Sequence, residues 1–300
     1  MTDSKPIFGR VLTAMITPFD GDGAVDYAEA GRVASWLAAH GSDGLVVSGT
    51  TGESATLTRE EKLTLFRAVR DAVGPDTKVL AGTGSYDTAA AVSLSREAGA
   101  TGVDGLLVVT PYYNKPSQEG LYQHFKAVAE ATALPVLLYN VPGRTQVNLE
   151  AATALRLAQL ENIVGLKEAS GLLAQVGEIV RDAPAGFQVY GGADEVNLPM
   201  LALGGVGSIS VISHVVGPDL QKMHQAFFGG DLETARAIHL RTLAITQAMF
   251  SAPSPVPTKT ALSMMDVLPS SRVRLPLVDA GEKERALIHA SLKEYGLLRG

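Results

Sequence analysis

Val164-Gly165-Leu166-Lys167-Glu168-Ala169-Ser170 is a short apolar run that ends in a lysine and breaks at Ser170-Gly171. The spacing predicts a buried strand over 163–167. A lysine at the end of such a strand is unusual, because its cation loses hydration there. It can pair with Glu168, snorkel to the rim, or give up its proton and serve as an amine nucleophile towards a ketone. The stretch alone leaves all three open, so the other strand ends have to be read beside it.

Working outward, seven further β-rich runs have the same character. They cover residues 11–19, 44–49, 78–82, 105–110, 135–141, 187–190 and 207–212. Between them lie helical stretches: one opened by Asp26 with Glu29 three residues on, and one opened by Thr58 with Glu61, a capping-box pattern. Others are expected over 88–98, 118–131, 149–159, 172–181 and 196–203. Strands alternating with helices imply parallel pairing through crossover helices. Eight such units predict an α/β fold, a (β/α)₈ TIM barrel. A doubly wound open sheet would call for a glycine-rich phosphate loop after the first strand. The turn there is Pro18-Phe19-Asp20-Gly21, which is not one. From Pro218 onward the pattern is helical only, over 231–250, 258–265 and 282–295, with the stiff turn Ala252-Pro253-Ser254-Pro255-Val256-Pro257 between the first two. The expected division is therefore a barrel over 1–217 and a C-terminal helical region packed on it over 218–300.

With 300 residues, 46% of them hydrophobic, the chain can bury a large core. A net charge of −6 and the lack of a basic run argue against nucleic acid as a partner. The absence of cysteine excludes disulfides, thiolate metal sites and a cysteine nucleophile. The polar first ten residues do not resemble a signal peptide, and no apolar run reaches the roughly 18 residues of a membrane span. A cytoplasmic protein with no membrane contact is expected.

In a barrel, chemistry gathers at the carboxyl ends of the strands. Those ends carry Gly49-Thr50-Thr51-Gly52-Glu53, Thr110-Pro111-Tyr112-Tyr113, Tyr139-Asn140-Val141-Pro142-Gly143-Arg144, Lys167 and Gly191-Gly192. Each has an ordinary reading: a turn, a packed ring, a solvated arginine. Together they bring hydroxyls, phenols, an arginine and a lysine to one rim, which is the inventory of a site with a nucleophile, acid/base groups and anion binders.

Four motifs in this order resemble the pyruvate-dependent class I aldolase superfamily, and within it the dihydrodipicolinate synthase family. They are Gly49-Thr50-Thr51-Gly52-Glu53-Ser54, Thr110-Pro111-Tyr112-Tyr113-Asn114-Lys115-Pro116, Tyr139-Asn140-Val141-Pro142-Gly143-Arg144-Thr145 and Gly165-Leu166-Lys167-Glu168-Ala169. The resemblance runs from about residue 8 to the end, and the Arg144 position separates the synthases from the sialic acid lyases. It implies that Lys167 forms a Schiff base with pyruvate and that the resulting enamine condenses with L-aspartate 4-semialdehyde. Tyr139 would transfer protons, with Thr50 and Tyr113 completing its relay and Tyr113 reaching a neighbouring subunit of a homotetramer. Thr50 and Thr51 would hold the pyruvate carboxylate and Arg144 the aldehyde's carboxylate, with Gly192 and Ile209 lining the site through their backbone. No metal or organic cofactor is implied. Another pyruvate aldolase acting on a sugar-derived keto acid, or a silent keto-acid binder, are the alternatives. Two departures stand out: Ser254 where many members carry asparagine, and Ala193 before Asp194 where many carry two aspartates. Members inhibited by L-lysine bind it in an interface cleft whose positions match Arg59, Lys62, Tyr86 and Ala90. Two cations and a missing carboxylate predict insensitivity to lysine.

Overall fold

The computed structural model describes residues 6–298. The chain runs β1 (Val11–Ala14), α1 (Tyr27–Ala39), β2 (Gly44–Val47), α2 (Arg59–Val73), β3 (Lys78–Gly82), α3 (Thr88–Ala98), β4 (Gly105–Val109), α4 (Gln118–Glu130), β5 (Val136–Asn140), α5 (Pro142–Thr145) and α6 (Ala151–Leu157). It continues through β6 (Ile163–Glu168), α7 (Leu173–Asp182), β7 (Gln188–Gly191), α8 (Asn197–Ala202), β8 (Gly207–Ser210), α9 (Ser213–Phe228), α10 (Leu232–Met249), α11 (Val256–Met264) and α12 (Glu282–Tyr295). The eight strands pair in parallel in chain order, and β8 closes on β1. The fold is the closed (β/α)₈ barrel that the alternation predicts, with helices following it.

Closure buries the strands on both faces, which is why they read as continuous apolar runs. In β5, Val136 and Leu138 face the helices while Leu137 and Tyr139 face the barrel interior. The interior layer also holds Leu12, Val46, Leu80, Leu107, Tyr190 and Ile209. Side chains alternate along a strand, so Lys167 and Glu168 must point to opposite faces. The register decides which is which: Lys167 is level with Tyr139 on one side and Tyr190 on the other. Lys167 therefore points into the barrel near its carboxyl end.

Local signals place the helices. Thr58 Oγ1 accepts from the Glu61 amide at 3.2 Å, and Glu61 Oε2 accepts from the Thr58 amide at 2.8 Å. This is the full capping box; such an N-cap contributes about 1 kcal/mol. At Asp26 only half of it forms. Asp26 Oδ1 accepts from the Glu29 amide, but Glu29 turns to Arg32 instead of back to the cap.

Two helices were not anticipated. One is the single turn α5, which carries Arg144. The other is α9, which packs against β1 and α1 in the position of the barrel's eighth helix. Pro218, where the helical-only stretch begins in the sequence, stands two residues past a break in α9. A proline there would clash with the carbonyl four residues back. The chain relieves this at Val216, whose φ of −129° and ψ of 29° kink the helix. The expected division at 217/218 falls beside this kink. The last three helices follow, with α10 packed on α9 and α12 on α10.

Candidate active site

Two adjoining cavities open at the carboxyl end of the barrel, of about 340 and 490 Å³. Thr50, Tyr139, Val141, Arg144 and Ser254 line both. The larger adds Thr51, Lys167, Ala169 and Gly192.

Lys167 is only 5% exposed, and its Nζ lies 4.4 Å from the centroid of the Tyr139 ring. A cation over a ring face is attracted by the ring quadrupole. No carboxylate pairs with Lys167 among the described residues. Glu168 is committed elsewhere, on the outer face of the strand. It accepts from Asn140 Nδ2 at 3.0 Å, the Ser170 amide at 2.6 Å and Gln175 Nε2 at 3.2 Å. Pairing of Lys167 with Glu168, one of the three readings above, is therefore removed by strand geometry. Lys167 is a buried amine with no anionic partner, facing a cavity.

Gly192 has a steric reason to be glycine. A Cβ there would meet Lys167 Cγ and Cε at 3.0 Å and Ala169 Cβ at 2.9 Å. Any side chain would displace the lysine stem. Its amide donates to the Glu168 carbonyl at 2.8 Å, fixing this part of the rim.

Thr51 is buried and its hydroxyl lies 3.5 Å from Ser254 Oγ. Ser254, one of the two departures, is thus part of the cavity wall. Arg144 stands at the mouth, exposed, its guanidinium without a hydrogen-bond or ion-pair partner among the described residues. The Tyr139 hydroxyl likewise has no protein partner among them, so it and Thr50 share a cavity without a hydrogen bond between them. Ile209 is buried in the interior layer and lines neither cavity; Val211 does instead. Tyr113 lines neither cavity. It has a positive φ of 75° and is 91% exposed. Its neighbour Tyr112 lines the smaller cavity and stacks edge-on with Tyr86 at 5.3 Å, and burial pushes its phenol up from the ordinary value.

Several wall residues gave no signal in the sequence. Leu243, Thr246 and Gln247 of α10, with Phe250 at its C-cap, close one side of the larger cavity. They come from a helix far along the chain, and only tertiary packing brings them over the barrel. The loop that carries Thr50 and Thr51 is held from behind by a buried ion pair, also unforeseen. Lys259 Nζ donates to Glu53 Oε1 at 2.6 Å and to the Arg272 carbonyl at 2.8 Å, and the Arg274 amide donates to Glu53 Oε2 at 2.9 Å. Burial pushes Lys259 down to about 8, with Glu53 opposing the shift.

At the expected lysine cleft, Arg59 is bridged to Glu97. Lys62 is half-buried and desolvation holds it below its ordinary value. The charge there is smaller than two free cations, although Ala90 still supplies no carboxylate.

The chain matches the dihydrodipicolinate synthetase family over residues 7–295. It is 57% identical over 291 residues to 4-hydroxy-tetrahydrodipicolinate synthase of Moorella thermoacetica, covering 97% of this chain and 99% of that one. It is 54% identical to the enzyme of the same name from Symbiobacterium thermophilum, covering 98% and 100%. Among solved structures, the dihydrodipicolinate synthase of Cyanidioschyzon merolae with lysine bound superposes with a TM-score of 0.96 at 45% identity, covering 98% and 100%. A full-length family match, relatives above half identity and a coincident fold lead to one conclusion: the chain belongs to the dihydrodipicolinate synthetase family.

Proposed function

We propose that the chain is a 4-hydroxy-tetrahydrodipicolinate synthase, condensing pyruvate with L-aspartate 4-semialdehyde in lysine biosynthesis. The observation that carries this reading is Lys167: buried, unpaired, over the Tyr139 ring and facing a cavity that Arg144 also lines. The Lys167 amine adds to the pyruvate ketone and water leaves, giving an iminium. The iminium acidifies the methyl group, which loses a proton to form an enamine. The enamine carbon attacks the aldehyde, whose oxygen takes up a proton. The substrate's own amine then adds to the imine carbon and displaces Lys167, closing the ring.

Tyr139 is assigned the proton transfers, from its place beside the amine. Thr50 and Thr51 are assigned the pyruvate carboxylate, through hydroxyls and the amides of a loop bounded by glycines. Arg144 is assigned the aldehyde's carboxylate, where a planar fork matches a planar anion. Gly192 is assigned the clearance for the lysine stem.

Assembly belongs to the same reading. Tyr113 is 91% exposed and so is free to enter a neighbour's site in a homotetramer. Residence in the cytoplasm follows from the biosynthetic role.

The test is chemical. Borohydride in the presence of pyruvate should fix an adduct on Lys167, located by mass spectrometry, and pyruvate with aspartate semialdehyde should give the cyclic product. An adduct on another lysine, or condensation only with sugar-derived aldehydes, would overturn the assignment.

A further inference from the structure

The larger cavity is lined by groups of both signs, but very unequally. Arg144 and Lys167 supply its cations or amines, and the remaining polar lining is hydroxyl and amide. Glu195 is its one carboxylate. The side chain is exposed and has no hydrogen-bond or ion-pair partner among the described residues. The backbone that carries it is fixed. Its neighbour Asp194 is buried and accepts from the Val211 and Ile212 amides at 2.8 and 3.1 Å, and from Asn197 Nδ2 at 3.1 Å. The turn of Asp194–Val196 is thereby tied to the end of β8, and Glu195 is held at the cavity wall. By contrast Glu53, which lines the smaller cavity, is already consumed by Lys259 and the Arg274 amide.

We propose that Glu195 receives the α-ammonium group of the second substrate and makes the site selective for an amino aldehyde over one without the amine. This rests on the function proposed above. The charges favour it. When the aldehyde binds, the lysine nitrogen is that of a neutral enamine, the pyruvate carboxylate is held by Thr50 and Thr51, and Arg144 is balanced by the aldehyde's carboxylate. The ammonium remains to be received, in a cavity whose other basic side chains are Arg144 and Lys167. Glu195 offers the ammonium an anion fixed at the cavity wall, where the other polar lining is hydroxyl, amide or cationic. Complementary charge of this kind selects between ligands of similar shape. A carboxylate placed for an N–H group also disfavours the analogue that lacks one, because the carboxylate is then left without its partner.

The experiment compares L-aspartate 4-semialdehyde as substrate with succinic semialdehyde as competitive inhibitor, the same chain without the amine that closes the ring and releases Lys167. Steady-state kinetics are measured for the full-length chain and for Glu195→Gln and Glu195→Lys, with borohydride trapping of pyruvate as a control. A charged hydrogen bond at a partly exposed site predicts a rise of roughly tenfold in KM for the amino aldehyde in Glu195→Gln, and more in Glu195→Lys. The inhibition constant of succinic semialdehyde should hold or fall, and trapping should match the unsubstituted chain. An equal change for both aldehydes, or none for either, would overturn the assignment. So would lost trapping in Glu195→Gln, which would tie Glu195 to the lysine step or to the scaffold. If the unsubstituted chain traps no pyruvate, the function proposed above fails instead, and the two failures are told apart by that control.

Discussion

Two lysines are buried among the described residues, and they do opposite things. Lys167 ends β6 inside the barrel, 5% exposed, over the ring of Tyr139 at 4.4 Å, with no carboxylate partner among the described residues. Lys259 sits in α11, fully buried, over the ring of Phe19 at 4.1 Å, with Glu53 at 2.6 Å. Burial and an aromatic neighbour are common to both, so neither marks a nucleophile. The differences are the missing carboxylate and the open cavity in front of Lys167. Lys259 is enclosed, its nitrogen donating to Glu53 and to the Arg272 carbonyl, whereas Lys167 faces a cavity through which a ketone can reach it. Lys259 instead fastens the C-terminal segment around Arg272 and Arg274 to the loop that presents Thr50 and Thr51.

The comparison breaks most directly at Lys167 itself. Lys167→Met keeps the apolar stem and removes the amine, so turnover should fall to background, with no borohydride adduct from pyruvate. An adduct that moved to Lys259 would erase the distinction between the two. Next in size is Tyr139→Phe, which keeps the ring under the lysine and removes the hydroxyl. Loss of general acid/base catalysis predicts a fall of about 10² to 10⁴ in kcat, with circular dichroism unchanged. Near-normal turnover would reduce Tyr139 to a packing surface for the amine.

At Lys259 the expected loss is one of stability. Lys259→Met strands the Glu53 carboxylate in the interior, and breaking a buried pair from one side typically costs about 3–5 kcal/mol. Denaturant unfolding should show it, and the double variant Glu53→Gln with Lys259→Met should recover much of the loss. A double variant no better than the single would mean that the pair itself does not set the cost. A smaller effect is the pH dependence. Folding lowers Lys259 from 10.5 to about 8 through burial. Between those values the unfolded chain holds the proton more tightly, so this group's contribution to stability rises with pH across the window. Relative to the double variant, the unfolding free energy should climb from pH 8 to 10.5; a decline would mean that Glu53 outweighs desolvation. The smallest effect expected is none at all. With Arg59 bridged to Glu97 and alanine at position 90, millimolar L-lysine should leave the initial rate unchanged. Half-inhibition below a millimolar would show that a cation is held there by other groups.

The barrel was legible in the sequence because both of its signals are local. Each strand, buried on two faces, writes an apolar run such as Gly105 to Val109, and each crossover helix writes its own cap, as Thr58 and Glu61 do. The motif residues Lys167, Tyr139, Thr50, Thr51 and Arg144 sit at strand ends or the loops beyond, so strand order alone predicts that they share a rim. Other features depend on contacts between residues far apart in the chain. That Lys167 faces inward and Glu168 outward follows from the register of β5, β6 and β7, not from either residue. Nothing near Lys259 in sequence announces Glu53, some 206 positions away. The α10 wall of the cavity, the clearance at Gly192 and the exposed place of Tyr113 are decided in the same way. Local backbone preference and hydrophobic period act over a few residues and are written where they act. A partner for a charge, the space for a side chain and the access of a cavity are properties of surfaces that meet only after the chain has folded.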